Sequence, residues 1–402
     1  MTGQKTDRAD AAERPYVLDV SRLIWRGWTG RLPTGIDRVC HAYLEHFAPD
    51  ALAMVQRGRY RTILSHQSSD ALFALLRQPG PGFRRAVMRL LARALAQRTA
   101  SDHGQGKIYL NIGHTGLDAP GLADWLADRR LKAVHFIHDL IPLTHPYYCR
   151  PGEAARHRRR MQGVLATASG IIANSADTLD ALQQFANHHK RDLPRAQIVA
   201  WLGTDPLAAA AAAPPLTPDT PFFVMTGTIE ARKNHLMMLR IWQILVHSCG
   251  AAAPHLVLVG QRGWEASDVF ALLDSDTRLG TRVTELGHCR DATLARLLGQ
   301  ARALLMPSFA EGYGLPVIEA LQRGCPVIAS DIAVFREIGQ NIPRLISPAD
   351  ATAWMSAILD YAGPSADRDR QIKALQSYAA PSWADHFRRV EPWLRRIADQ
   401  PS

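Results

Sequence analysis

Short apolar runs alternating with segments of helical periodicity constrain this chain more than any other feature. In the first half the runs are Tyr16–Val20, Lys107–Gly113, Ala133–Asp139 and Gly170–Ser175. In the second they are Phe222–Gly227, His255–Gly260, Arg282–Gly287, Ala303–Ser308 and Pro326–Ser330. Strand, helix, strand in repetition is the unit of a parallel sheet with crossover helices, so the chain is expected to be α/β. Between the two sets lies Pro206–Pro221, rich in Ala and Pro, with the composition of a linker. The expected organisation is a first Rossmann-like domain over 1–205, a linker over 206–221 and a second Rossmann-like domain over 222–385. A length of 402 residues accommodates this.

The charge balance narrows the partners. Lys plus Arg is 47 and Asp plus Glu is 37, a net +10, which favours phosphates, nucleic acid or an anionic membrane surface. Nucleic acid is disfavoured because the basic clusters are not interleaved with aromatic residues. The five cysteines are odd in number and never form a CxxC pair, which fits reduced thiols in a cytosol and implies no zinc. No apolar signal core and no run of about 18 uncharged apolar residues is present, so a cytoplasmic protein without a membrane span is expected.

Open α/β sheets bind ligands outside the carboxyl ends of their strands. The run ends therefore nominate His114, His138, Asp139, Asn174 and Ser175 for one wall of a cleft. Gly227, Gly260, Gly287 and Ser308 would form the other. Strand ends are also polar simply because they leave the core, and that alternative stands for each residue taken singly.

The most informative stretch is Pro307–Ser330. A strand ending at Ser308 leads through Gly312 and Gly314 to Pro316, which can open a helix, giving a glycine-flexible loop at a helix N-terminus suited to an anion. Glu311 and Glu319 flank this loop, and carboxylates beside an anion site make sense as acceptors for hydroxyls such as those of a sugar. Arg232 and Lys233, just after the strand ending at Gly227, are a candidate phosphate clamp; a solvated helix start is the other reading. Asp274-Ser275-Asp276 could hold a metal, although acidic residues there usually mark a turn. HExxH, GxSxG and P-loop elements are missing from the sequence.

The Glu-x7-Glu spacing within EGYGLPVIEAL, followed by RGCPVIASD, resembles the retaining glycosyltransferases of family 4, which have the GT-B architecture of two facing Rossmann-like domains. The similarity extends through Phe222–Trp242, Leu256–Trp264, Val283–Ser308, Thr34–Val39, His138–Pro146 and PSWADHF. The resemblance implies that Glu319 holds the ribose of a nucleotide-sugar and that Glu311 contacts the transferred sugar. Gly312, Tyr313, Gly314 and Leu315 would offer backbone N–H groups. Arg232 and Lys233 would bind the diphosphate without a metal or other cofactor, Gly227 would close the same wall, and Gly287 with His288 would meet the base. Gly35 would let the first helix approach the diphosphate, and His138 would approach the reacting sugar. His114, Asp139 and Ser175 would lie toward the acceptor. A C-terminal helix over 386–402 would cross back to the first domain.

The implied activity is transfer of mannose or another hexose, from a GDP- or UDP-linked donor, to a glycan or polyprenyl-linked acceptor in surface polysaccharide or lipopolysaccharide synthesis. A nucleotide-sugar epimerase of the same architecture and a non-catalytic nucleotide-sugar binding module are the alternatives. Gly82–Arg98 carries Arg85, Arg89 and Arg93 on one side and Val87, Leu90, Leu91, Ala94 and Leu95 on the other. It is either a helix lying on an anionic membrane surface or an amphipathic helix packed on its own domain.

Overall fold

The structure is a computed structural model that describes residues 14–30, 34–96, 104–205, 220–287 and 289–400. Nearly all of the linker expected over 206–221 lies outside the described residues, as do the last two residues of the basic segment.

The first lobe is built on β1 (Tyr16–Asp19), β2 (Ala51–Arg57), β3 (Tyr60–Ile63), β4 (Ile108–Asn111), β5 (Lys132–Ile137), β6 (Ala168–Ala173) and β7 (Ala196–Val199). They pair in the order β3-β2-β1-β4-β5-β6-β7, all parallel except β3, which turns back on β2 through Gly58 at φ 60°. The second lobe contains β8 (Phe222–Thr226), β9 (His255–Val259), β10 (Val283–Leu286), β11 (Leu304–Met306), β12 (Val327–Ser330) and β13 (Arg344–Ile346), in the order β10-β9-β8-β11-β12-β13. Every pairing in it is parallel. Central strands such as FFVMT and VIAS are buried on both faces, as expected of parallel sheets covered by helices.

Four strands were not read from the sequence. β2 (ALAMVQR) is made of good helix formers, and burial between helices overrides that preference. β3, β7 and β13 are short edge strands whose side chains are mostly only partly buried, so they lack an apolar run.

Strand order reverses between β1 and β4 in one sheet and between β8 and β11 in the other, and at such reversals the following loops diverge and leave a crevice. The loop after β8 carries Arg232 and Lys233, and the loop after β11 carries Glu311 to Gly314. Two segments remote in sequence thus meet at one crevice.

The C-terminal helix is Trp383–Ala398, three residues earlier than 386, because the Ser382 hydroxyl caps it by accepting from Asp385 N at 3.1 Å. It lies on the first lobe: His386 bonds the Trp201 carbonyl at 2.8 Å and the Tyr43 hydroxyl at 2.9 Å, and Phe387 stacks on His46.

The basic helix, Phe83–Ala96, turns Phe83 and Val87 inward and packs Leu90, Leu91 and Ala94 against the core, while Arg84, Arg85, Arg89 and Arg93 face solvent. The described part of its apolar stripe thus packs on its own lobe, while Met88 is exposed. What remains outward is otherwise an arginine row. No helix among the described residues is long and apolar enough to cross a membrane.

Candidate active site between the lobes

The cleft contains a cavity of about 500 Å³. Gly35, Arg38, His138 and Asp139 of the first lobe line it, opposite Arg232, Lys233, Glu311, Gly312 to Leu315 and Glu319 of the second. The residues singled out as a glutamate pair and a cationic pair therefore share one chamber.

Glu311 is at the centre of the second-lobe wall. It accepts from Lys233 Nζ at 2.5 Å, Arg232 Nη1 at 2.8 Å and the Ser308 hydroxyl at 2.7 Å. Burial alone would raise its pKa, but the charges of Arg232 and Lys233 outweigh burial and hold it at about 2. Arg232 is in turn held by Glu230, through Nε at 3.1 Å and Nη2 at 2.5 Å, and donates Nη1 to the Ala310 carbonyl at 2.6 Å. Lys233 spends one of its three N–H bonds on Glu311, so donors remain for an incoming anion. Its stem passes over Gly227, whose φ of 120° disfavours any side chain and where a Cβ would press on Lys233 Cε at 3.3 Å. Gly227 thus shapes the Lys233 position without lining the chamber.

Glu319 sits on the Leu315–Gln322 helix, buried, with one oxygen 2.6 Å from Arg38 Nη1 of the opposite lobe. That helix starts from Gly314 at φ 102°, where a Cβ would stand 2.6 Å from the Phe335 ring. Gly312 is required for a different reason: a Cβ there would stand 2.7 Å from the His138 carbonyl, so the lobes touch through bare backbone. Tyr313 donates its hydroxyl to the Leu202 carbonyl at 3.1 Å, a second strut between the lobes.

On the first-lobe wall, His138 donates Nε2–H to the Ile112 carbonyl at 2.7 Å. Burial lowers its pKa to about 4, so the ring is neutral at physiological pH. Asp139 lines the chamber and accepts from Ile141 N at 3.1 Å. Gly35 opens the Gly35–Phe47 helix, whose start is fixed by a reciprocal cap between Thr34 and Asp37, and a Cβ there would stand 3.6 Å from Leu315 Cδ1, an ordinary contact.

Other expected site residues fall elsewhere. His114 is behind His138, ring centroids 5.1 Å apart, bonded to the Phe136 carbonyl and off the chamber wall. Ser175 is fully buried as the cap of the Ala176–His188 helix, accepting from Thr178 N at 3.1 Å. Its place at a strand end reflects helix capping. Gly287 is exposed and outside the chamber, with nothing near its Cβ position, and His288 lies outside the described residues. Asp274 is bound by Arg262 at 2.6 and 2.8 Å, and Asp276 caps the turn at Arg278 and Leu279, which is the turn reading of that triplet.

Sequence reading missed Arg38, Glu230, Tyr148 and Trp264, all of which line the chamber. Arg38 lies three positions after Gly35 within TGIDRV, one helical turn on; Trp264 carries no local pattern that marks it.

Residues 220–363, the segment holding Arg232, Lys233, Glu311 and Glu319, match the family model described as Glycosyl transferases group 1. The matched segment is thus similar to that family over the second lobe. Among curated relatives, the chain is 28% identical over 274 residues to the serotype-specific mannosyltransferase WbdA of Escherichia coli, covering 61% of this chain and 32% of that protein. It is 28% identical over 240 residues to O-antigen chain mannosyltransferase B of Escherichia coli, covering 58% of this chain and 62% of the relative. The chain thus spans under two thirds of the length of these relatives. Among solved structures, HepE of Anabaena in complex with UDP superposes with TM-score 0.63 at 17% identity, over 95% of this chain and 99% of that one. Sucrose-phosphate synthase of Thermosynechococcus elongatus gives 0.62 at 19% identity, over 96% and 100%. The architecture is GT-B, as the sequence led us to expect.

Proposed function

We propose that this chain is a retaining, metal-independent glycosyltransferase of family 4 that moves a hexose from a nucleotide diphosphate to a glycan or polyprenyl-linked acceptor in surface polysaccharide synthesis. The observation that carries this reading is the convergence of Arg232, Lys233, Glu311 and Glu319 on one interlobe chamber. Mannose is the favoured sugar because the relatives WbdA and mannosyltransferase B are named for its transfer. The relative HepE was solved with UDP, so both GDP and UDP belong in a donor screen.

In this reading the donor diphosphate meets Arg232 and Lys233, and Glu311 turns its oxygens from the cations to the hydroxyls of the sugar. As the glycosidic bond opens, negative charge grows on the leaving phosphate, and two fixed cations stabilise it where it develops. Glu230 holds Arg232 in position before the donor arrives, so little reorganisation is left for the reaction itself. The leaving phosphate can take the acceptor's proton on the same face, which preserves anomeric configuration without a protein nucleophile. The outward arginines of the Phe83–Ala96 helix support charge-only attraction to an anionic bilayer that carries the acceptor.

Substitution separates the roles. Arg232→Ala and Lys233→Ala should lower kcat by about 10²- to 10³-fold, the scale for losing one group aimed at developing charge, while Glu319→Ala should mainly raise the donor KM. Hydrolysis or transfer from GDP-mannose and UDP-sugars that is unchanged in all three variants would refute the site.

A further inference from the structure

Arg38 stands in the first turn of the Gly35–Phe47 helix, yet its guanidinium ends on a carboxylate of the other lobe. The side chain is 43% exposed and that of Glu319 is 6% exposed, so the bond lies at the chamber wall with the cation on the open side. The grip is single: Nη1 meets Oε1, which leaves Glu319 further lone pairs directed at the chamber. Two charged groups bear on this carboxyl, Arg38 across the cleft and Asp291 at the start of the Asp291–Gln300 helix. Burial and Asp291 both favour the protonated form; Arg38 opposes them. Separating the lobes would remove the one cation and leave the other two influences in place.

Resting on the donor reading above, we propose that Arg38 is a positioning residue of the nucleotide site, contributed by the opposite lobe. It keeps Glu319 ionised and oriented to accept the vicinal hydroxyls of a ribose, and so ties nucleotide capture to closure of the lobes. Arg38 keeps its own bond to Oε1 while the ribose is bound, because a carboxylate oxygen accepts more than one hydrogen bond. A simple interlobe lock predicts the opposite sign: a nucleotide would have to break the pair, and removing Arg38 would tighten binding.

Calorimetric titration of UDP and GDP, and of their 2′-deoxy forms, into the wild type, Arg38→Ala and Arg38→Lys tests this, repeated from about pH 6 to about pH 8.5 to span neutral conditions. Whichever ribonucleotide binds the wild type should bind Arg38→Ala about tenfold more weakly near neutrality, the scale of one charge-assisted hydrogen bond. The deficit should grow as pH falls and shrink as it rises. Arg38→Lys should restore part of the affinity, and the 2′-deoxy nucleotide should show a smaller Arg38 effect. An unchanged or tighter Kd in Arg38→Ala overturns the inference while leaving the donor reading intact. A pH-independent loss that is equal for ribo and deoxy forms also overturns it, since it marks a merely structural role. If the wild type binds neither nucleotide, the donor reading falls and this inference with it. Should Arg38→Ala fail to fold, Arg38→Lys and the deoxy comparison still decide the sign.

Discussion

At the scale of single residues, the chamber is built from charges that satisfy one another before any ligand arrives. Glu311 shows the cost and the benefit. Its carboxyl is 7% exposed, a position that would be unfavourable alone, and it is stable because Arg232, Lys233 and Ser308 surround it. Its pKa is depressed in the fold, so this contribution to stability is complete above the ordinary carboxylate value. It disappears as pH falls through the window between the ordinary glutamate value of 4.5 and about 2. The contribution is on the order of 3 kcal/mol. Acid titration followed by thermal melting should show the wild type losing this increment across that window, whereas Glu311→Gln, less stable at neutral pH, should show a flatter profile. Parallel acid profiles for the two proteins would contradict the assignment.

At the scale of elements, two loops and the start of one helix decide whether the lobes can meet. The β11 loop reaches across the cleft through Gly312, where the missing Cβ would stand 2.7 Å from the His138 carbonyl, 3.0 Å from Asp139 Cβ and 3.4 Å from Asp139 Oδ2. A backbone oxygen cannot be displaced as a flexible side chain can, so Gly312→Ala should hold the lobes apart. We expect a larger radius of gyration in small-angle scattering and a transfer rate at least tenfold lower, the consequence of misplacing reacting groups by about 1 Å, with a melting temperature that falls little. A variant of normal rate and radius would show that the contact gives way. The same element view explains Glu337, which from the second lobe accepts Ala176 N at 3.0 and 2.9 Å and Trp201 Nε1 at 2.7 Å. A helix N-terminus in one lobe is thus neutralised by a carboxylate of the other.

At the scale of the whole molecule, the chain closes on itself. After completing the second lobe it returns through Ser382 to lay Phe387, Val390, Trp393, Leu394 and Ile397 on the first, where a Cβ at Gly170 of β6 would stand 2.7 Å from Ile397 and 2.9 Å from Trp393. Five buried apolar side chains at about 1.5–3 kcal/mol each amount to the stability of an ordinary domain. A chain ending at Ser382 should therefore lose the cooperative melting of its first lobe, seen by circular dichroism and by exposure of Tyr43 and Phe136 to quenching. Retained two-lobe melting would show that the helix is an ornament of the fold. The helix crosses where Gly203 passes Trp383 N, 2.1 Å from the position a Cβ would take, so the crossing point tolerates no side chain.

Periodicity and strand-end composition were enough to determine two parallel-sheet lobes, and local motif chemistry was enough to nominate Arg232, Lys233, Glu311 and Glu319. Those signals are local: an apolar run, a glycine-flanked loop and a helix start all lie within about twenty residues of chain, as parallel-sheet units do. What tertiary structure alone decided is which polar strand ends face the chamber and which serve the fold. Ser175 and Asp139 look alike in sequence, yet one is a buried helix cap and the other lines the cleft. Arg38 and Glu319 are 281 residues apart, and no pattern along the chain links them. Their pairing exists because two lobes bring their helix starts to the same gap, and only the packing of one lobe on the other sets that distance.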